Sequence, residues 1–320
     1  MMPKNAFVGI DTSNYTTSLA IVGEDGELIA NLKIPLAVSS GERGLRQSDA
    51  LFSHVKNLPS IMEQARGYLA GVSVLAVGVS ERPRNVNGSY MPCFLAGVSA
   101  AESFCAALGV PLYRFSHQCG HIMAALYSSG ADGRIGTDFA ALHISGGTTE
   151  LLRARATDSG FDAECVGGTR DLNAGQVIDR IGVYLGLPFP AGPHLEALAN
   201  KFDGKPDKKR VSVCGTYANL SGLENLAIDL YKRCGEPSRV AAFVFEYLGN
   251  SIVEICRGYI DAYGDCPFVF AGGVMCNGII KNKLKGIIKE PYFAEPSMSS
   301  DNAVGTAVLA MKKYRSEHNG

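Results

Sequence analysis

The chain has 320 residues, 46% of them hydrophobic and 19% charged, with 30 Lys and Arg against 31 Asp and Glu. That length supports one large or two medium globular domains, and a formal net charge of -1 excludes a general attraction to nucleic acid or anionic membrane, so a polyanionic partner needs a local patch. Nine cysteines without a C-x-x-C pair, and no charged-then-apolar leader before Phe7, fit a reducing cytoplasm, and polar residues or glycine break every apolar stretch before it reaches bilayer length.

Taken in chain order, "FVGIDTSNYTTSLAIVGEDGELIANLKIPL" reads as three short strands of an antiparallel meander, with a polar turn after Asp11 and a Glu-Asp-Gly turn at 24 to 26. Helical runs follow from about Ser48 and from Phe94 to Leu108. In "FSHQCGHIMAAL" His117 and His121 stand four apart in the first turns of an apolar helix. The opening pattern then recurs in "FAALHISGGTTELLRARATDSGFDAECV", where a strand ends in the small turn Ser145 to Thr149 and further strands return. We read the two copies as a duplication into similar lobes, over residues 1–137 and 138–320. A strand is expected at 291 to 294, and a last helix from about Asp301 to Tyr314 is expected to pack back on the first lobe.

Paired glycines close several strands: Gly146-Gly147, Gly167-Gly168 and Gly272-Gly273. Such turns leave backbone N–H groups available to phosphate oxygens. Two matched hairpin loops plus "FVFAGGVMCNG" describe a cleft with phosphate loops from both lobes, the pattern of the α/β actin-like ATPase superfamily of actin, sugar kinases and Hsp70. Neither the Walker loop nor the Rossmann fingerprint is present.

Residues i and i+4 share one helix face, so His117 and His121 can reach one ion, although H-x-x-x-H is also a frequent packing accident. Gln118 stands where a zincin would place its Glu, so the pair carries no zincin-type general base. A third ligand is needed, commonly a carboxylate, and Asp301 offers one; an N-cap is its structural alternative.

The ensemble resembles the TsaD family of tRNA threonylcarbamoyladenosine enzymes, also described as O-sialoglycoprotein endopeptidases. The resemblance rests on "GIDTS" at 9 to 13, "HQCGH" at 117 to 121, "ISGGTT" at 144 to 149, "RDLNAGQVIDRIGVYLGLPFPAGP" at 170 to 193, "AGGVMCN" at 271 to 277 and "SDN" at 300 to 302. It implies a divalent metal held by His117, His121 and Asp301, with iron or zinc ahead of magnesium. It further implies a nucleotide site of Ile144, Ser145, Gly146, Gly147, Thr148, Asp179, Gly192 and Asn277. The implied substrate is threonylcarbamoyl adenylate, a mixed anhydride of AMP, whose acyl group passes to a tRNA adenosine beside the anticodon with release of AMP. The implied partners are tRNA and proteins of the TsaB and TsaE kind, in the cytoplasm. No catalytic acid or base is assigned.

The chain departs from the family pattern in a way that suggests a paralogue. Asn14 to Thr17 lack the acidic residues of the first loop, Thr148 replaces a histidine and Gln176 a glutamate, while Arg43, Arg46, Arg82 and Arg84 enter two altered segments and suggest an anionic ligand. Three readings follow: the family transferase, a divergent enzyme that binds or hydrolyses a nucleotide with another acceptor, and a noncatalytic partner resembling TsaB. The peptidase label gains nothing from the residues, because no nucleophile and base pair has a protease-like setting. Cys119 and His143 read as packed residues, His194 as either packed or near the nucleotide, and His54 and His318 carry no signal.

Overall fold

Two mixed sheets with a shared strand order organise the chain, in a computed structural model that describes residues 4–13, 15–37, 45–86, 88–133, 138–157 and 160–318. Asn14, Arg43 and the expected lobe boundary at Thr137 lie outside the described residues. The chain divides into two compact units, one of residues 1–136, 155–163 and 297–320, the other of residues 137–154 and 164–296.

In the first unit β1 (Lys4–Ser13), β2 (Thr16–Gly23) and β3 (Leu28–Pro35) form the meander, followed by α1 (Gln47–Leu69), β4 (Val72–Arg82), α2 (Phe94–Leu108), β5 (Leu112–Ser116) and α3 (His117–Ser128). The sheet order is β3-β2-β1-β4-β5, with β1 antiparallel to β2 and parallel to β4, and β4 parallel to β5. From Ala6 to Ser13 every residue of β1 is buried, as expected of a strand covered on both faces. That burial carries Asp11, Thr12 and Ser13 into the interior at the strand's end.

The second sheet contains β6 (Phe139–Ile144), β7 (Thr149–Thr157) and β8 (Gly160–Thr169), then after α4 (Ala174–Tyr184) and α5 (Gly192–Ala199) the short strands β9 (Val213–Cys214) and β10 (Tyr217–Ala218). Helices α6 (Ser221–Cys234) and α7 (Pro237–Tyr263) lead to β11 (Phe268–Ala271), α8 (Gly278–Lys285) and β12 (Pro291–Phe293). The run β8-β7-β6-β11-β12 repeats the order of the first sheet, and β6 is again antiparallel to its hairpin partner and parallel to β11. Helix α7 is the spine of this core: Phe243, Phe245, Leu248, Ile252 and Ile255 are all buried on it. Each such side chain is worth roughly 1.5–3 kcal/mol of transfer free energy.

Helix α9 (Val304–His318) belongs to the first unit, where it lies against α3, β1 and β4. Its stretch from Val304 to Met311 is buried throughout. Small residues make the approach possible: a Cβ at Gly9 or Gly78 would run into the α9 backbone, and one at Gly120 would sit 2.9 Å from Thr306 Oγ1. Backbone therefore packs almost on backbone, which fixes where the turn ahead of α9 must lie.

Candidate functional site

Strand β5 ends at Ser116, whose Oγ accepts from the Cys119 N–H at 3.2 Å and caps α3. His117 thereby becomes the first helical residue, and His121 follows one turn later on the same face. The turn before α9 brings Asp301 to them. One ligand atom from each of His117, His121 and Asp301 lies within 4.8 Å of the others. The two Nε2 atoms are 2.9 Å apart, and Asp301 Oδ1 is 3.3 Å from His121 Nε2 and 3.7 Å from His117 Nε2. Three lone-pair donors converging at these distances suit a divalent ion.

A fourth residue orients the first ligand. His117 Nδ1 lies 2.8 Å from Oδ2 of the wholly buried Asp11, the arrangement that holds a metal-ligating imidazole with its proton on Nδ1 and its Nε2 lone pair outward. Burial works against charge on both groups, but each stabilises the other's ion. Asp11 falls well below the usual carboxylate range and His117 rises to about 9. The Ser13 N–H also donates to Asp11 Oδ1 at 2.9 Å. Burial likewise opposes ionisation of Asp301, and the two histidines outweigh it, so its pKa is lowered. In sequence Asp11 reads only as the end of a strand; a carboxylate directly after the buried apolar run Ala6 to Ile10 is the signal that marks it.

The Asp301 turn is itself cross-tied. Lys33 Nζ donates to the Ser297 carbonyl at 2.9 Å and to Ser300 Oγ at 3.0 Å, while Asn302 Nδ2 donates to the Met298 and Ser300 carbonyls. Asn302 Oδ1 accepts from the Val304 N–H at 3.0 Å. The start of α9 is thus capped by Asn302, which corrects the N-cap alternative for Asp301 and leaves that carboxylate to face the histidines. His54, silent in the sequence, is wholly buried with Nδ1 2.9 Å from Thr17 Oγ1, and its Nε2 has no partner among the described residues.

In the second unit the start of α4 and the turn after β11 approach the backbone of the turn between β6 and β7. The turn between β6 and β7 holds Ser145 N–H on the Thr148 carbonyl at 2.8 Å and leaves Gly146 and Gly147 exposed. Asn173 Nδ2 ties the Gly147 carbonyl to the start of α4 at 2.9 Å. A Cβ at Gly175 would lie 2.6 Å from the Ser145 carbonyl oxygen, and Gly272, at φ +93°, abuts the Ile144 carbonyl, so both positions require glycine. Asp179 Oδ1 accepts from the Ala191 N–H at 2.8 Å, next to Gly192, and burial raises its pKa against that bond. Glu196, missed in the sequence, accepts from the Gly278 N–H at 2.6 Å and joins α5 to the start of α8. There Asn277 Oδ1 caps the Ile280 N–H at 3.0 Å, and its buried Nδ2 has no partner among the described residues.

Other sequence expectations resolve individually. Arg82 is paired with Glu81 and reaches Asn85 Oδ1 at 3.0 Å, which gives it a protein partner; Arg46 and Arg84 are exposed. Cys119 and His143 are buried, whereas His194 is exposed on α5. Gln176 completes a capping box with Asn173. Arg180 pairs with Glu224 at 3.2 Å, away from Asp179.

Comparison with known proteins decides the family. Residues 42–308 match the family model described as TsaD, tRNA N6-adenosine threonylcarbamoyltransferase. The chain belongs to the TsaD family. Relatives named tRNA N6-adenosine threonylcarbamoyltransferase include one from Streptococcus suis, 29% identical across 99% of this chain and 95% of its own length. One from Streptococcus mutans is 31% identical across 97% and 93% of the two chains, and one from Methanopyrus kandleri 28% across 92% and 84%. As a TsaD-family member the chain is an acyl-transferring enzyme. Its fold is that of actin-like ATPases and sugar kinases. Component A of the Acidaminococcus fermentans (R)-2-hydroxyglutaryl-CoA dehydratase aligns with TM-score 0.56 over 97% of this chain and 98% of that one, at 15% identity. A ROK family glucokinase from Streptomyces griseus aligns with TM-score 0.52 over 95% and 99%, also at 15% identity. Among the described residues no helix of this TsaD-family chain is long and apolar enough to cross a membrane.

Proposed function

We propose that this TsaD-family chain moves a threonylcarbamoyl group from threonylcarbamoyl adenylate to the exocyclic amine of the adenosine beside a tRNA anticodon. One divalent metal, iron or zinc, is held by His117, His121 and Asp301. The observation that carries this reading is the convergence of those three ligand atoms within 4.8 Å, with the buried Asp11 carboxylate orienting His117. When bound, such a metal supplies Lewis-acid polarisation of oxygen on the acyl donor.

The remaining work falls to the chain's own groups. Asp11 holds the His117 ring and keeps its proton on Nδ1. The exposed Gly146-Gly147 turn offers backbone N–H groups to phosphate oxygens, Asp179 keeps one carboxylate oxygen beyond its bond to Ala191 for a ribose hydroxyl, and Asn277 Nδ2 is a buried donor that a nucleotide would satisfy. In the transfer the amine nitrogen bonds to the carbamoyl carbon, the bond from that carbon to the phosphate oxygen breaks, AMP departs with the electron pair, and the amine loses a proton. Partner proteins of the TsaB and TsaE kind belong to this reading.

The test supplies the purified chain, with those partners, with threonylcarbamoyl adenylate and unmodified tRNA. Equal amounts of modified adenosine and AMP are expected from the wild type, with loss of both on Asp301→Asn. AMP release without modified tRNA contradicts the assigned acceptor.

A further inference from the structure

Between α5 and β9, residues 201–212 form no helix or strand, yet they carry five cations, Lys201, Lys205, Lys208, Lys209 and Arg210, against two carboxylates. One of those carboxylates is already engaged: Asp207 receives Arg239 from α7 in a fork of 2.7 and 2.9 Å. The segment is pinned at both ends as well. Phe202 and Val211 pack on the core of the second unit, the Ser212 N–H donates to Tyr247 Oη at 3.3 Å, and the Ser212 carbonyl accepts from Asn219 at 2.9 Å. Lys205, Lys208, Lys209 and Arg210 are exposed, and carboxylates close to them are already held by other cations: Asp207 by Arg239, and Glu246, whose pKa Lys208 helps to lower, by Lys283 at 2.8 Å. Just beyond β9, the exposed Arg170 lies 4.9 Å over the Tyr217 ring and adds a further cation at this edge of the sheet.

Like charges held side by side repel, and a solvated loop relieves this by moving. Here Asp207, Phe202, Val211 and Ser212 hold the loop in place. In a chain whose net charge is -1, a pinned ridge of exposed cations is the local patch that a polyanion requires.

We propose that Lys205, Lys208, Lys209 and Arg210 bind the phosphate backbone of the tRNA substrate and so orient it without reading its sequence. This rests on the transferase reading above. Such contacts set register and affinity, while the reacting base is chosen elsewhere.

The experiment measures tRNA binding against salt concentration for the wild type and for Lys208→Gln, Lys209→Gln, Arg210→Gln together. A control variant removes equal charge from exposed residues of the first unit, Lys4→Gln, Lys56→Gln and Arg66→Gln. Three lost phosphate contacts reduce the slope of log affinity on log salt by roughly 2 to 3. We expect affinity to fall by about tenfold or more at 0.1 M salt, KM for tRNA to rise with it, and kcat at saturating tRNA, metal content and melting temperature to stay at wild-type values. The control variant should keep the wild-type slope. A triple variant that binds tRNA with the wild-type slope, or a control that loses as much, overturns the inference while leaving the transferase reading intact. Wild-type protein that binds no tRNA even with the partner proteins of the transfer assay present overturns both.

Discussion

Gly305 of α9 meets Gly120 of α3 so closely that a Cβ on Gly305 would overlap the Gly120 carbonyl oxygen. Gly120 is the residue just before His121, and Gly305 follows Asp301 by four positions, so this glycine contact sets the spacing between metal ligands from two distant parts of the chain. Gly305→Ala should push α9 outward at a cost of about 1–3 kcal/mol. Metal affinity should fall alongside the urea unfolding midpoint, and metal titration with denaturation reads both. A variant of reduced stability with unchanged metal affinity would show that this contact does not position Asp301.

Asp11 acts on the metal through His117. Asp11→Asn preserves the shape of the side chain and removes the charge that holds the Nδ1 proton. Loss of such an outer partner costs about 10–100-fold in metal affinity. Calorimetric titration of the metal-stripped protein checks this, and undiminished affinity would leave the 2.8 Å contact as packing.

Asn277 has two separable roles. Its Oδ1 caps α8, while its Nδ2 is buried without a partner among the described residues. Asn277→Asp should keep the cap and lose affinity for AMP, whereas Asn277→Ala should lose both, with about 1 kcal/mol of stability. Fluorescence titration with AMP beside thermal unfolding distinguishes them. Equal AMP affinity in all three proteins would remove Asn277 from the nucleotide site.

The pair Glu246–Lys283, at 2.8 Å, fastens α7 to α8. Burial disfavours the Glu246 carboxylate, but the bonds from Lys283 and Asn250 prevail and lower its pKa. A carboxylate with a lowered folded-state pKa contributes stability that is fully present above its unfolded pKa of about 4.3. That contribution is lost as pH falls through the folded value. Glu246→Gln should therefore be destabilising by about 1 kcal/mol at pH 7, with the difference from wild type shrinking below about pH 4. Urea unfolding across pH tests the sign; a gap that widens on acidification would contradict it.

What the sequence makes legible is what neighbours in the chain decide. The meander from Phe7 follows from short apolar runs bounded by turn residues, the helix Phe94–Leu108 from run length, and the i, i+4 pair His117 and His121 from helix geometry alone. Asp11 is not legible this way, because its role depends on a partner 106 residues away. Glu196 reads as a surface helix residue until Gly278, 82 residues on, donates to it. Asp301 and Asn302 both suit capping in sequence, and it is the local geometry of the turn, with the Val304 N–H on Asn302 Oδ1, that gives the start of α9 to Asn302. His54 shows the limit most plainly, since nothing in its flanking residues announces its burial or its contact with Thr17.

The most direct measurement is metal content beside transfer activity, for the wild type and for His117→Ala with His121→Ala, using threonylcarbamoyl adenylate, unmodified tRNA and the same partner proteins. One metal per wild-type chain, with metal and adenosine modification lost together in the variant, is the expected result. A variant without metal that still modifies tRNA at the wild-type rate would contradict a metal centre at His117, His121 and Asp301 as the seat of the reaction.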